Sequence, residues 1–119
     1  MRVVILGSLL ILFLSVASAD AGLTVEDYKQ AKSQSWFNLY IGGIGQGISI
    51  ANISLKVDHK PTLYCPPENK TLDAEDYISL IDSYMVINRD TLTLETPISV
   101  VLFQALKEAY PCSTLKKGR

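Results

Sequence analysis

An apolar run close to the start of the chain, followed by small residues, limits how much of the sequence remains to fold. Arg2 supplies a positive charge, the run extends to Leu14 and is rich in Val, Ile and Leu, and Ala17-Ser18-Ala19 has the A-x-A form of a signal-peptide cleavage site. An apolar core of about a dozen residues is short against the roughly 20 that a membrane-spanning helix needs. We therefore predict a cleaved signal peptide over residues 1–19 and one exported domain over residues 20–119.

The charge balance of the exported part argues against polyanionic partners. Arg2 is one of 11 Lys and Arg residues in the chain, so residues 20–119 hold 10 of them against 12 Asp and Glu, a formal charge near -2. Nucleic acids and anionic membrane surfaces bind clustered basic faces. The sequence therefore predicts no nucleic-acid partner and, after signal cleavage, no membrane partner.

The two cysteines, Cys65 and Cys112, predict a covalent link. An exported chain meets an oxidising compartment, where an even number of cysteines most simply forms disulfides. Closing a loop of about 48 residues would stabilise the fold by roughly 4 kcal/mol in the chain-entropy model. The alternative, a metal site or a reactive thiol, lacks a Cys-x-x-Cys pair and a histidine cluster.

The first half of the exported domain predicts two helices. Thr24-Val25-Glu26-Asp27 has the form of a capping box, which starts the first one. The second extends from about Ser35 to Lys56, because its apolar residues recur at three- and four-residue spacing. A β-hairpin is the alternative, since Ile48 and Ile50, and then Ile53, Leu55 and Val57, also alternate, and four glycines each cost a helix about 1 kcal/mol.

The second half predicts a pair of antiparallel helices. Thr71 can cap a third helix that has acidic residues in its first turn and ends near Ile87. Thr96-Pro97 can start a fourth helix, which Pro111 ends. Helices of similar length joined by a short segment are usually antiparallel neighbours, and the disulfide would then close the open end of the pair. The predicted fold is all-α: a small single-domain bundle of about four helices, with one disulfide closing a C-terminal helical hairpin.

Motifs that could carry chemistry are weak. The glycine-rich run from Gly42 to Gly47 fits neither the dinucleotide fingerprint nor the P-loop, and we interpret Gly43 and Gly47 as helix-packing residues, within the domain or across a dimer. His59 is the only histidine and is predicted to lie on the surface. The acidic pair Glu75-Asp76 is better explained by a helix N-terminus than by acid/base chemistry. No catalytic residue, metal or cofactor is predicted, and we expect a protein that is not an enzyme.

Three motifs spread over the exported domain carry a family resemblance. Tyr40-Ile41-x-Gly43, Tyr64-Cys65-Pro66-Pro67 before a helix started by a threonine, and Ala105-Leu106-x-x-Ala109-Tyr110-Pro111-Cys112 together resemble the Rap/Tai-type immunity proteins of type VI secretion systems. The resemblance implies a periplasmic, helical, disulfide-bonded inhibitor that occludes the active site of a peptidoglycan amidase effector injected by sister cells. It also implies a homodimer.

The chain departs from that pattern in two places. Many members have further cysteines in the first two helices, where this chain has none. Many also have a His-Pro after the third helix, where this chain has Asn88-Arg89-Asp90. The changed segment leaves the identity of the amidase open. Two other classes of function stay open as well: a small periplasmic helical chaperone or ligand-binding module, and a secreted small-ligand carrier, which would have an apolar cavity and glycans.

We place the effector-binding surface on the connection between the third and fourth helices. This connection contains no Gly or Pro between residues 88 and 95, is held by a helix at each end, and offers hydrogen-bonding side chains around an apolar pair. The alternatives are an ordinary turn in which Leu92 and Leu94 only dock on the core, and a rival surface on the longer segment 58–69. The predicted effector-binding residues are Asn88, Arg89, Asp90, Thr91, Leu92 and Thr93.

Overall fold

The computed structural model describes residues 22–113 and contains four helices and no strand within them. The helices are α1 (Val25–Ala31), α2 (Phe37–Val57), α3 (Ala74–Ile87) and α4 (Ile98–Ala109). The predicted all-α bundle is confirmed. The predicted signal peptide lies outside the described residues. In the part of the chain that is described, no helix has the length and apolar composition needed to cross a membrane.

The helix starts follow the capping rules, with two corrections. The Thr24 N–H donates to the Asp27 carboxylate at 3.4 Å, as the capping box predicts for α1, and the Thr24 hydroxyl donates to the same carboxylate at 2.8 Å. The predicted cap of α3 at Thr71 is wrong. Asp73 caps this helix by accepting the Asp76 N–H at 2.9 Å, because a carboxylate two residues further on reaches the unpaired N–H groups of the first turn.

The start of α4 is also displaced by one residue, because Pro97 and not Thr96 is the N-cap. The Thr96 hydroxyl is engaged with the Thr93 hydroxyl at 2.8 Å, and the Thr96 carbonyl accepts the Val25 N–H at 2.9 Å. Neither group is left to cap α4. The first N–H of α4, at Ile98, donates instead to the Leu23 carbonyl at 2.8 Å, which ties α4 to the segment before α1.

The second helix is continuous over 21 residues, so the hairpin alternative is wrong. Its buried face, formed by Phe37, Ile41, Gly45 and Asn52, packs on α3 and α4, and this burial outweighs the low helix propensity of its glycines. The helix ends in a Schellman motif: the His59 N–H donates to the Lys56 carbonyl, the Lys60 N–H donates to the Leu55 carbonyl, and His59 has the left-handed φ of 54°.

The prediction that Gly43 and Gly47 pack inside the domain is wrong. A Cβ added at either position would meet no atom of the described chain within 4 Å, and both residues are exposed. The glycine that packs closely is Gly45, which is buried beneath the ring of Tyr77; a Cβ there would overlap that ring. The helical period places Gly45, and not its neighbours two residues away, on the face towards α3.

The core lies where α2, α3 and α4 meet, with α1 covering one side. Aromatic residues from α1, α2 and α3 fill the core together with aliphatic residues of α4 and with Tyr64 from residues 58–69, the long connection between α2 and α3. Tyr28 contacts Phe37 edge-to-face, with the ring centroids 5.4 Å apart. The fully buried side chains are Tyr28, Tyr64, Phe37, Ile41, Ile81, Ile98, Leu102, Leu106 and Val101.

The predicted disulfide between Cys65 and Cys112 is present, with the two Cα atoms 4.9 Å apart. Beside it, the Cys65 N–H donates to the Tyr110 carbonyl at 2.8 Å, directly after α4 ends. The chain before α3 is therefore fixed to the chain after α4, while residues 88–97 join the other ends of the two packed helices. This is the predicted antiparallel hairpin closed by a disulfide.

Candidate functional site

The segment between α3 and α4, residues 88–97, begins with a tightly closed turn. Asn88 ends α3, and both its backbone N–H and its side-chain Nδ2 donate to the Tyr84 carbonyl at 2.9 Å. The Asn88 carbonyl in turn accepts the N–H groups of Thr91 and Leu92 at 3.0 Å and the Thr91 hydroxyl at 3.1 Å. One asparagine thus closes the helix and fixes the turn that follows it.

Arg89 and Asp90 stand at the tip of this turn. Their side chains are 79 and 94 % exposed, and the Arg89 Nε lies 3.9 Å from the Asp90 Oδ1. Water screens a pair this exposed, so the contact adds little to the stability of the fold. The turn therefore presents one positive and one negative group whose hydrogen-bonding capacity is directed outwards.

The second half of the segment is tied to α1. The Leu94 carbonyl accepts the Glu26 N–H at 3.0 Å, and the Thr96 carbonyl accepts the Val25 N–H at 2.9 Å. These donors are N–H groups of the first turn of α1, which have no partner within their own helix. Hydrogen bonds at both ends therefore brace the segment.

The two leucines of the segment behave differently. Leu92 is half-buried and packs against the core, as the ordinary-turn alternative expected. Leu94 is 61 % exposed. Of the six predicted residues, Arg89, Asp90, Thr91 and Thr93 are exposed and Asn88 and Leu92 are partly buried. The hydroxyls of Thr91 and Thr93 are engaged within the segment, with the Asn88 carbonyl and the Thr96 hydroxyl.

A groove of about 590 Å³ runs beside the braced segment, between α1 and the end of α3. Its floor is apolar and its rim carries charges of both signs. The lining residues are Val25, Glu26, Tyr28, Lys29, Lys32, Asp82, Met85, Val86, Arg89, Leu92 and Leu94.

A polar cluster closes the α1 side of this groove. The Tyr28 hydroxyl donates to Asp82 Oδ1 at 2.9 Å, and Lys32 Nζ donates to Asp82 Oδ2 at 2.7 Å, so one carboxylate of α3 holds two side chains from the α1 region. Burial raises the pKa of Tyr28 far above its ordinary value of 10.0, and the hydrogen bond to Asp82 and the Asp82 charge act in the same direction. Tyr28 is therefore a neutral donor at physiological pH.

Asn52 of α2 holds the rival segment, residues 58–69, through hydrogen bonds to its backbone. This buried amide donates from Nδ2 to the Tyr64 carbonyl at 2.9 Å, and its Oδ1 accepts the Leu63 N–H at 2.7 Å and the Tyr64 N–H at 3.4 Å. Tyr64 is itself buried, and Cys65 follows it in the disulfide. A second groove, of about 380 Å³, lies between this segment and α2.

Sequence reasoning missed Asn52 and Asp82. Asn52 follows Ile41, Gly45 and Ile48 at helical spacing, so a polar residue on the apolar face of α2 was a signal available in the sequence. Asp82 gave no such signal, because its partner Tyr28 lies 54 residues away along the chain.

The groups available for chemistry are few in the described part of the chain. Both thiols are joined in the disulfide, His59 is exposed at the end of α2, and residues 22–113 hold no group of three or more His, Cys, Asp or Glu side chains that could bind a metal ion. What the candidate site offers is a rigid turn with an exposed charge pair beside an apolar groove.

Comparison with known proteins identifies no relative: no protein family matches the sequence, and neither a curated protein nor a solved structure is detectably similar to it.

Proposed function

We propose that this chain is a periplasmic immunity protein, which binds a type VI secreted peptidoglycan amidase and occludes its active site, protecting the cell from attack by sister cells. The observation that carries the proposal is the turn at residues 88–93, where Arg89 and Asp90 are exposed on a segment braced at both ends. The motif resemblance supplies the class of partner, and the turn supplies the surface that meets it.

The bracing favours tight binding. A segment that is already ordered loses little conformational entropy on association, so more of the contact energy remains as affinity. The hydrogen bonds of Asn88, and those from the Val25 and Glu26 N–H groups, hold the turn before any partner arrives. A cleft in the amidase would then receive a preformed projection.

The charges at the tip favour specific binding. A charged group that enters a desolvated cleft needs a partner there, so Arg89 and Asp90 would select an amidase with a complementary pair of groups. The exposed Leu94 and Val86 beside the groove add the apolar contact that the centre of an interface usually contains.

The remaining features are consistent with this role. A disulfide is stable in an oxidising compartment such as the periplasm, where an amidase that cuts the cell wall would act. Inhibition by occlusion requires no catalytic group, metal or cofactor on the inhibitor. The partner in this proposal is the amidase.

The experiment is to search the neighbouring genes for a cysteine-histidine amidase, to purify that enzyme, and to measure peptidoglycan hydrolysis with increasing amounts of this chain. We expect hydrolysis to stop at a defined stoichiometric ratio, and an unrelated amidase to keep its activity. Full hydrolysis at excess inhibitor would contradict the proposal. Periplasmic expression of the amidase, with and without this chain, gives the same comparison as cell survival.

The second candidate is a small periplasmic helical chaperone or ligand-binding module. The apolar groove and the exposed apolar side chains are the observations in its favour. Such a chaperone should expose more apolar surface when acidified and should prevent aggregation of an unfolded client at acidic pH. Suppression of aggregation at low pH, together with no effect on the amidase, would favour this candidate over the immunity role.

A further inference from the structure

The disulfide joins two cysteines that lie in different surroundings. Cys65 is exposed, whereas Cys112, just after α4, is half-buried. A reagent in solution has to reach a sulfur before it can attack, so Cys65 is the more accessible of the two. In thiol–disulfide exchange a thiolate attacks one sulfur while the other sulfur leaves. The surroundings of the two sulfurs therefore decide which one is attacked and which one leaves.

The hydroxyl of Thr62 lies beside the disulfide and favours Cys112 as the leaving sulfur. The Thr62 Oγ1 is 3.4 Å from the Cys112 Sγ and 3.7 Å from the Cys65 Sγ. Because a disulfide sulfur carries no hydrogen, the hydroxyl is the donor in both contacts. A donor beside a developing thiolate stabilises its charge, and a better-stabilised thiolate leaves faster. The shorter contact gives this advantage to Cys112.

The backbone around Cys65 offers its sulfur little stabilisation as a thiolate. The two residues that follow it, Pro66 and Pro67, have no N–H group. The N–H of Cys65 itself donates to the Tyr110 carbonyl at 2.8 Å. Backbone N–H groups are among the donors that stabilise thiolates in proteins, and these three positions supply none. Cys65 is therefore the poorer leaving group.

Hydrogen bonds that do not involve sulfur hold the two cysteines close together. The bond from the Cys65 N–H to the Tyr110 carbonyl joins the chain before α3 to the chain after α4. Asn52 holds Tyr64 through both its amide groups, Tyr64 is buried, and Tyr110 packs against the core. Opening the disulfide breaks none of these contacts. Closing it again is then an intramolecular reaction between groups that are already positioned.

We propose that this disulfide is a reversible exchange site for small thiols, in which Cys65 is the sulfur attacked and Cys112 is the leaving and returning thiolate. The small thiolate bonds to the Cys65 Sγ, the bond between the two cysteines breaks, and its electron pair stays on the Cys112 Sγ beside Thr62. A second small thiolate attacks the first one's sulfur and frees Cys65, so two electrons pass from two small thiols to the protein. A small disulfide closes the bond again by the reverse steps.

The first test identifies the sulfur that is attacked. The oxidised chain is exposed briefly to excess glutathione at neutral pH, the reaction is stopped with an alkylating reagent, and proteolysis followed by mass spectrometry locates each adduct. We expect glutathione on Cys65 with the alkyl group on Cys112, in at least about tenfold excess over the reverse arrangement. Circular dichroism of the fully reduced chain should keep the helical signal, because the hydrogen bonds around the disulfide remain.

The second test concerns the Thr62 hydroxyl. Thr62→Val should slow reduction by glutathione about threefold or more, because the leaving thiolate loses its donor, and Thr62→Ser should keep the wild-type rate. Thr71→Val is the matched control, since Thr71 is an exposed threonine before α3 that is outside the described contacts of the two sulfurs.

A further measurement separates stabilisation of the thiolate from a change in packing. In a Cys65→Ser chain, Cys112 is a free thiol, and the pH dependence of its alkylation reports when it becomes a thiolate. Adding Thr62→Val should move the midpoint of that dependence to higher pH. A variant that only loosened the packing would make Cys112 more accessible without moving the midpoint.

Four outcomes would overturn the proposal. A disulfide that excess glutathione reduces only in the presence of urea would be a closed structural link. Loss of the helical signal on reduction would show that the remaining hydrogen bonds do not hold the cysteines. Glutathione on Cys112 with the alkyl group on Cys65 would reverse the order of the two sulfurs. Unchanged rates and an unchanged alkylation midpoint in Thr62→Val would remove Thr62 from the reaction. None of these results depends on whether the chain inhibits an amidase.

Discussion

Asn52 is, apart from tyrosines, the only buried residue with a polar side chain in the described part of the chain, and the partners of its side chain all belong to the long connection, residues 58–69. A buried amide is tolerated when its donors and acceptors are satisfied, and here three backbone groups satisfy it. One side chain of α2 therefore determines where Leu63 and Tyr64 lie and, through them, where Cys65 meets Cys112.

At the residue scale we predict that Asn52→Ala lowers the free energy of unfolding by about 2–3 kcal/mol, since buried backbone groups of Leu63 and Tyr64 lose their partner. Asn38→Ala is the control, because Asn38 is an exposed asparagine on the same helix and should change stability by less than about 0.5 kcal/mol. Urea unfolding of both variants measures the difference. Equal stabilities for the two would contradict the anchoring role of Asn52.

Among the helices, α2 differs from one face to the other in ways that its composition alone does not reveal. One face packs on α3 and α4, Asn52 holds the long connection, and the opposite face carries the exposed side chains of Leu39, Ile50 and Ile53. Glycines appear on both faces: Gly45 lies beneath the Tyr77 ring and Gly42 beside the Ala74 methyl group, whereas Gly43 and Gly47 are open. Glycine therefore permits close packing at position 45, whereas at positions 43 and 47 it leaves the helix surface open.

We predict that Gly45→Ala destabilises the domain by about 1–3 kcal/mol, because the new methyl group overlaps the Tyr77 ring and forces the helices apart. Gly43→Ala should instead stabilise it by up to about 1 kcal/mol, since the position is open and alanine favours a helix. Thermal unfolding at one protein concentration, low enough to keep the chain monomeric, measures both. A loss of stability in Gly43→Ala would show that this position packs on something else.

Much of the architecture could be predicted from the sequence, and the errors have local causes. Helical periodicity located α2 and α3 within a few residues, since burial on one face outweighs four glycines. The predicted starts of α3 and α4 are misplaced because several nearby residues can cap each helix. The choice of Asp73 depends on a local bond from the Asp76 N–H, whereas at α4 the Thr96 carbonyl and the Ile98 N–H are bonded to the chain around the start of α1. The exposure of Gly43 and Gly47 could not be predicted, because the sequence does not show which face of α2 meets α3.

The candidate site could be predicted only in part. The segment 88–95 was located from the absence of Gly and Pro, and its exposed charge pair follows from the residues themselves. Its bracing could not be inferred, because the carbonyls of Leu94 and Thr96 bond to α1, about 70 residues earlier in the chain, and a single sequence gives no such pairing.

At the scale of the whole molecule, buried tyrosines link stability to pH. Burial raises the pKa of Tyr28, Tyr64 and Tyr77 above the ordinary value of 10.0. The folded chain therefore holds these phenolic protons more tightly than the unfolded chain does. Their contribution to stability is complete below about pH 10 and is lost as the pH rises above it.

We predict that the urea midpoint is level between pH 7 and 9 and falls steeply above about pH 10. Tyr28→Phe should be less stable at neutral pH, having lost the hydrogen bond to Asp82, but its midpoint should fall less steeply in alkali because it has one titrating group fewer. Parallel curves for the two proteins above pH 10 would contradict the link between Tyr28 and alkaline unfolding.

If the chain binds an amidase through the turn at residues 88–93, alanine variants of that turn should lose affinity for the enzyme while variants elsewhere keep it. Arg89→Ala and Asp90→Ala should each weaken binding of the amidase by about 2–3 kcal/mol, because each leaves a charge unpaired in the desolvated cleft. Their melting temperatures should stay at the wild-type value, since both side chains are exposed. Asp58→Ala and Lys60→Ala, in the rival segment, should bind as the wild type does. Wild-type affinity in the first pair with weakened binding in the second would exclude the turn as the binding site and place the site on the long connection.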